Sequence, residues 1–130
     1  MREYGWSQQR ADSMLALVAM AWGSSYLLMK IGLDVGSTTI KCVVLDENEQ
    51  ICFESYERHY SQITEKMAAL LTKIKNEVVK QQPVQLAVSG SAGMGIAQEC
   101  NFPFVQEVYA TRTATKKLIP NADVIIELGG

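Results

Sequence analysis

Apolar and polar positions divide this chain into two regimes. From Met14 to Met29 the run MLALVAMAWGSSYLLM carries no charge, and only Lys30 interrupts its continuation to Leu33. From Ile31 onward, short apolar runs alternate with polar turns. After a first strand through Ile31 and Leu33, Ile40, Cys42 and Val44 alternate with Lys41, Val43 and Leu45, as in a strand, up to the turn Asp46-Glu47-Asn48-Glu49. Ile51 and Phe53 share a face of a third strand that runs towards Arg58. Ser61 is a helix N-cap candidate. Ile63, Met67, Leu70, Leu71, Ile74 and Val78 then recur at helical spacing and give one apolar stripe. Lys66, Lys73, Lys75 and Lys80 fall mostly off that stripe, on a solvated face, and Gln81-Gln82-Pro83 stops the helix.

Val84 to Val88 reads as a buried strand. The small-residue loop Ser89-Gly90-Ser91-Ala92-Gly93-Met94-Gly95 follows it. A helix fits Val105 to Leu118 and is broken by Pro120-Asn121, and Ala122 to Leu128 reads as a last buried strand running into Gly129-Gly130. The order β-β-β-α-β-α-β predicts an α/β domain over residues 31–130, a mixed sheet covered by helices. An N-terminal tail and apolar helix over residues 1–30 precede it.

Three readings are open for the apolar leader. Residues 14–33 come to the length that spans a bilayer core, and Gly23-Ser24-Ser25 is a patch of the kind that lets membrane helices approach closely. Glu3, Arg10 and Asp12 give the preceding tail no positive bias that would set an orientation. The segment is a membrane helix, a signal peptide, or a soluble or artefactual extension; export fits badly with the nucleotide chemistry described below. Its order of apolar residues, Trp-Gly-Ser-Ser, apolar residues and Lys-Ile-Gly resembles the first transmembrane helix of drug/metabolite (EamA-type) transporters. That reading makes Lys30-Ile31-Gly32-Leu33 the last turn of a helix, whereas the α/β reading makes it a strand. One stretch cannot be both.

Composition adds bounds rather than a function. A chain of 130 residues that is 48% apolar and 20% charged suits one domain, with or without an appendage. Twelve basic and fourteen acidic residues give a formal charge of −2, and no basic run points to nucleic acid. Cys42, Cys52 and Cys100 form no CxxC pair and His59 is the lone histidine, so a metal site built from these four alone is not expected. Unpaired scattered cysteines suit a reducing, cytoplasmic compartment, with a membrane tether if the leader supplies one.

Chemistry concentrates in Asp34-Val35-Gly36-Ser37-Thr38-Thr39, a carboxylate and a small-residue turn between two strands. Gly36 admits a close approach, and the N–H groups and hydroxyls of Ser37, Thr38 and Thr39 suit phosphate oxygens. Asp34 suits Mg²⁺ held through water, and Lys41 could offset phosphate charge or point to solvent. A plain hairpin would use the same turn residues. Ser89–Gly95 follows a strand end, where α/β proteins bind ligands. Glu127-Leu128-Gly129-Gly130 repeats the acid-then-glycine design. Glu99 and Glu107 lie in helical contexts, where a surface carboxylate is the default.

Together, IGLDVGSTTIKCVVLD at 31–46, LAVSGSAGMG at 86–95 and FVQEVYATRTATKKLIPNADVIIELGG at 104–130 resemble the activase ATPases of 2-hydroxyacyl-CoA dehydratases and benzoyl-CoA reductases. These are members of the acetate kinase, sugar kinase, heat-shock chaperone and actin superfamily. The resemblance implies an RNase H-like fold that clamps ATP between two lobes. It places Gly36, Ser37, Thr38 and Thr39 on the first phosphate loop, Asp34 near Mg²⁺, and Glu127, Gly129 and Gly130 at the start of the second loop, where many relatives carry Asp rather than Glu. Full-length activases are homodimers sharing a [4Fe–4S] cluster, and they couple ATP hydrolysis to electron transfer into a dehydratase partner. Their cluster cysteines lie beyond the position of Gly130, and Cys42, Cys52 and Cys100 do not match them. The chain is accordingly expected to be the amino-terminal lobe of such an ATPase, without the second lobe that completes the adenosine pocket. A transporter fragment or fusion product without nucleotide chemistry is the rival expectation.

Overall fold

The computed structural model describes residues 28–124 and 126. A four-stranded mixed sheet in the order β3-β2-β1-β4 forms the centre. Its strands are β1 (Met29–Val35), β2 (Thr39–Leu45), β3 (Ile51–Arg58) and β4 (Val84–Ser89). β1 pairs antiparallel with β2 and parallel with β4, and β2 pairs antiparallel with β3. The carboxyl ends of β1, β3 and β4 therefore lie at one end of the sheet.

Side chains alternate across this sheet. One face presents Met29, Ile31, Leu33, Val35, Ile40, Cys42, Val44 and Val88, which form a single core with Met67, Leu70, Ile74 and Val79. These last four come from helix α1 (Ile63–Ile74) and the π-helical turn Lys75–Val79 that prolongs it. The registers put Lys30, Gly32, Asp34, Lys41, Val43, Leu45, Ala87 and Ser89 on the opposite face. Helices α2 (Gly93–Cys100) and α3 (Glu107–Leu118) follow β4.

Several sequence expectations are corrected. Lys30–Leu33 belongs to a strand, because β1 is paired along its length on both sides, so it is not the last turn of a membrane helix. No helix among the described residues is long and apolar enough to cross a membrane, and the leader through Leu27 lies outside them. Ser61 does not cap α1: it adopts a left-handed φ of 63°, and the N-cap is Gln62, without a side-chain cap bond. The wide π turn brings Val79, five residues after Ile74, fully into the core and leaves Val78 half-buried.

The expected loop Ser89–Gly95 ends at Ala92, because Gly93 already opens α2 against the sheet. The expected helix from Val105 begins at Glu107. Ala122–Val124 is not a strand, and Val124 and Ile126 are 76% and 80% exposed. The outer edge of β4 is already partly occupied there. Val88 donates its N–H to the Pro103 carbonyl and accepts from the Val105 N–H, both at 2.9 Å. Among the described residues the order is thus β-β-β-α-β-α-α, and residues 125, 127 and 128 of the expected last strand lie outside them.

Candidate functional site

The turn between β1 and β2 is short because the chain reverses within Gly36, Ser37 and Thr38. Gly36 donates its N–H to the Thr39 carbonyl at 2.8 Å and closes the reversal. Ser37 and Thr38 are exposed, and no hydrogen bond ties their N–H groups or hydroxyls to other described residues. Thr39 is buried as the first residue of β2. Gly36 does not use the freedom of a glycine, since its φ lies outside the left-handed region. An added Cβ would meet only the Thr39 carbonyl oxygen and Oγ1, at 3.6 and 3.7 Å, which is ordinary contact. The turn itself therefore tolerates a side chain at position 36.

Asp34, one residue before the end of β1, is mostly buried. Its Oδ2 lies 3.4 Å from Lys41 Nζ, the residue opposite it in the ladder. The Lys41 ammonium is thus turned towards Asp34 rather than free in solvent. Asp34 Oδ1 is buried without a hydrogen-bond partner.

A second loop meets this turn from the side. Parallel pairing sets Ser89 opposite Asp34, and Ala92 donates its N–H to the Val35 carbonyl at 2.9 Å. Gly90 passes so close that a Cβ there would stand 2.2 Å from the Val35 carbonyl oxygen and 2.7 Å from Asp34 Oδ1. Its φ of +101° also favours glycine. Two loops distant in sequence are thereby locked together around one carboxylate.

The third contributor, His59, was missed by sequence reasoning. It follows β3, is 2% exposed, and anchors the turn from behind. Its N–H bonds the Thr38 carbonyl at 3.1 Å, and its Nε2 lies 3.0 Å from the Gly36 carbonyl oxygen. Ser61 donates its N–H to Nδ1 at 3.0 Å, so the ring proton sits on Nε2 and is donated to Gly36. The left-handed Tyr60 and Ser61 wrap the backbone round the ring to make this possible. The only hint in the sequence was a histidine directly after a strand paired with the strand that leaves the turn.

Ser37 and Thr38 offer N–H groups and hydroxyls that no described residue engages, and beside them stands a carboxylate with one oxygen unpartnered. That donor set fits a phosphate with a hydrated divalent cation. No three His, Cys, Asp or Glu side chains gather as a metal cage among the described residues. A cation here would therefore keep most of its waters, as Mg²⁺ prefers.

No family model and no curated protein matches the chain. Glu127, Gly129 and Gly130, the expected start of a second phosphate loop, lie outside the described residues.

Proposed function

We propose that residues 31–130 are the phosphate-holding lobe of an activase-type ATPase. In this reading Ser37 and Thr38 receive the phosphates of ATP, Gly36 leaves room for their approach, Thr39 anchors the turn at the start of β2, and Asp34 holds Mg²⁺ through water. The observation that carries it is the unpartnered Oδ1 of Asp34, placed where the carboxyl ends of β1 and β4 bring two small-residue loops together. Ligands of α/β proteins bind beyond such strand ends. Antiparallel β3-β2-β1 joined to parallel β4 also supports an RNase H-like arrangement.

The chain's own share of the work is binding and orientation. The turn's N–H groups would point at phosphate oxygens, His59 would fix the direction of the Gly36 and Thr38 carbonyls, and Lys41 would offset charge beside Asp34. In the activases the sequence resembles, such binding serves ATP hydrolysis coupled to electron transfer from a [4Fe–4S] cluster to a dehydratase partner.

The test is ligand-dependent stability. A ligand that binds only the folded state stabilises it by RT ln(1 + [L]/Kd), so even weak binding shows at high concentration. Millimolar Mg·ATP should raise the melting temperature, and Asp34→Ala should abolish the rise. An unchanged melting temperature at millimolar Mg·ATP would sink the reading.

A further inference from the structure

Three buried side-chain polar atoms have no hydrogen-bond partner among the described residues: Asp34 Oδ1, Ser89 Oγ and Gln85 Oε1. Two of the three, on Asp34 and Ser89, belong to direct partners in the β1–β4 ladder. Partners in register project from the same face of a sheet, so the carboxylate and the hydroxyl stand side by side. Ser89 is 3% exposed and cannot turn to solvent for a partner. Leaving such a group unsatisfied costs the fold the desolvation of the hydroxyl with no bond in return. Alanine would remove that cost, so the hydroxyl is a liability in the ligand-free fold.

We infer that Ser89 Oγ and Asp34 Oδ1 together hold one coordinated water of the hydrated divalent cation, an inference that rests on the nucleotide reading above. A cation-bound water has two protons to give and its lone pair committed to the metal. It therefore calls for two acceptors, and a carboxylate oxygen and a serine hydroxyl oxygen provide them. Gly90 forms the wall of this position, because any side chain there would strike Asp34 Oδ1. Ser89 is thus a positioning residue that acts on the metal through its water.

The experiment compares wild type with Ser89→Ala, using Mn²⁺ as the spectroscopic probe. Bound Mn²⁺ is counted by electron paramagnetic resonance, alone and with a non-hydrolysable ATP analogue, and unfolding in urea is followed in EDTA. The expected result has opposite signs: equal or higher metal-free stability in Ser89→Ala, and Mn²⁺ affinity in the presence of the analogue weakened about tenfold or more, the usual effect of removing an outer-shell partner. Binding of the analogue in EDTA should be unchanged. Ser89→Ala with lower metal-free stability and unaltered Mn²⁺ affinity would identify an ordinary structural water and overturn the inference, while the nucleotide reading would stand. If wild type binds neither Mn²⁺ nor Mg·ATP, both fall.

Discussion

Nε2 of His59 lies 3.0 Å from the carbonyl oxygen of Gly36, across 23 positions of sequence, and joins the end of β3 to the turn between β1 and β2. Removing the ring leaves that carbonyl and the Ser61 N–H without partners. His59→Ala should therefore cost about 2–4 kcal/mol in urea unfolding. His59→Gln, whose amide can still donate towards Gly36, should recover part of the loss. An alanine variant as stable as wild type would show that the ring does not hold the turn.

Gly36 separates folding from ligand approach. Its backbone is not left-handed and a Cβ has room, so Gly36→Ala should change stability by less than about 0.5 kcal/mol. The added methyl would stand where phosphate must come close, and the thermal shift with Mg·ATP should shrink. A variant that keeps the full shift would place the phosphate elsewhere.

Gly90 should behave in the opposite way. Gly90→Ala puts a Cβ 2.2 Å from the Val35 carbonyl oxygen at an unfavourable φ, and a loss of roughly 3 kcal/mol or more should follow. Gly95 is the internal control, because nothing lies within 4 Å of its added Cβ inside α2. Gly95→Ala should stabilise by about 0.5–1 kcal/mol. Equal effects of the two substitutions in denaturant titrations would contradict the close approach at Gly90.

Cys42 supplies a pH dependence. Burial pushes its thiol from the ordinary 9.0 up to about 12. A group whose folded value is raised contributes stability that is complete below the unfolded value and is lost as pH climbs towards the folded one. Between pH 9.0 and about 12, wild type should lose about 1.4 kcal/mol per pH unit relative to Cys42→Ala. The same burial should leave Cys42 unreactive towards thiol reagents in the native state, while exposed Cys52 and Cys100 react. Native-state labelling of all three thiols would count against a sealed core at Cys42.

Strand alternation through Ile40, Cys42 and Val44, the stripe from Ile63 to Ile74 and the turn at Gly36 were legible because each is a local pattern. What escaped depends on distant contacts. Helix α2 begins at a glycine, a poor helix former, because the start of this helix packs against β4; an added Cβ at Gly93 would lie 2.8 Å from Val88 Cγ1. The π turn that replaces Val78 by Val79 breaks the helical spacing on which the stripe was read. His59 has no neighbouring motif, since its hydrogen-bond partner at Gly36 comes from another part of the chain. Asp34 was visible as a carboxylate before a glycine turn, but its solitary Oδ1 and the nearness of Ser89 required the β1–β4 register.

β1 occupies an interior position in the sheet, with neighbours on both sides, and delivers Asp34 to the site from there. Amides in doubly flanked strands open to exchange with solvent only in the rarest, most extensive fluctuations, whereas peripheral helices breathe freely. Loosening around α3, whose Val108 and Tyr109 are exposed, can therefore proceed without disturbing the carboxylate's mooring. Asp34 thus has no easy local route out of place, and its position should persist for as long as the sheet itself does.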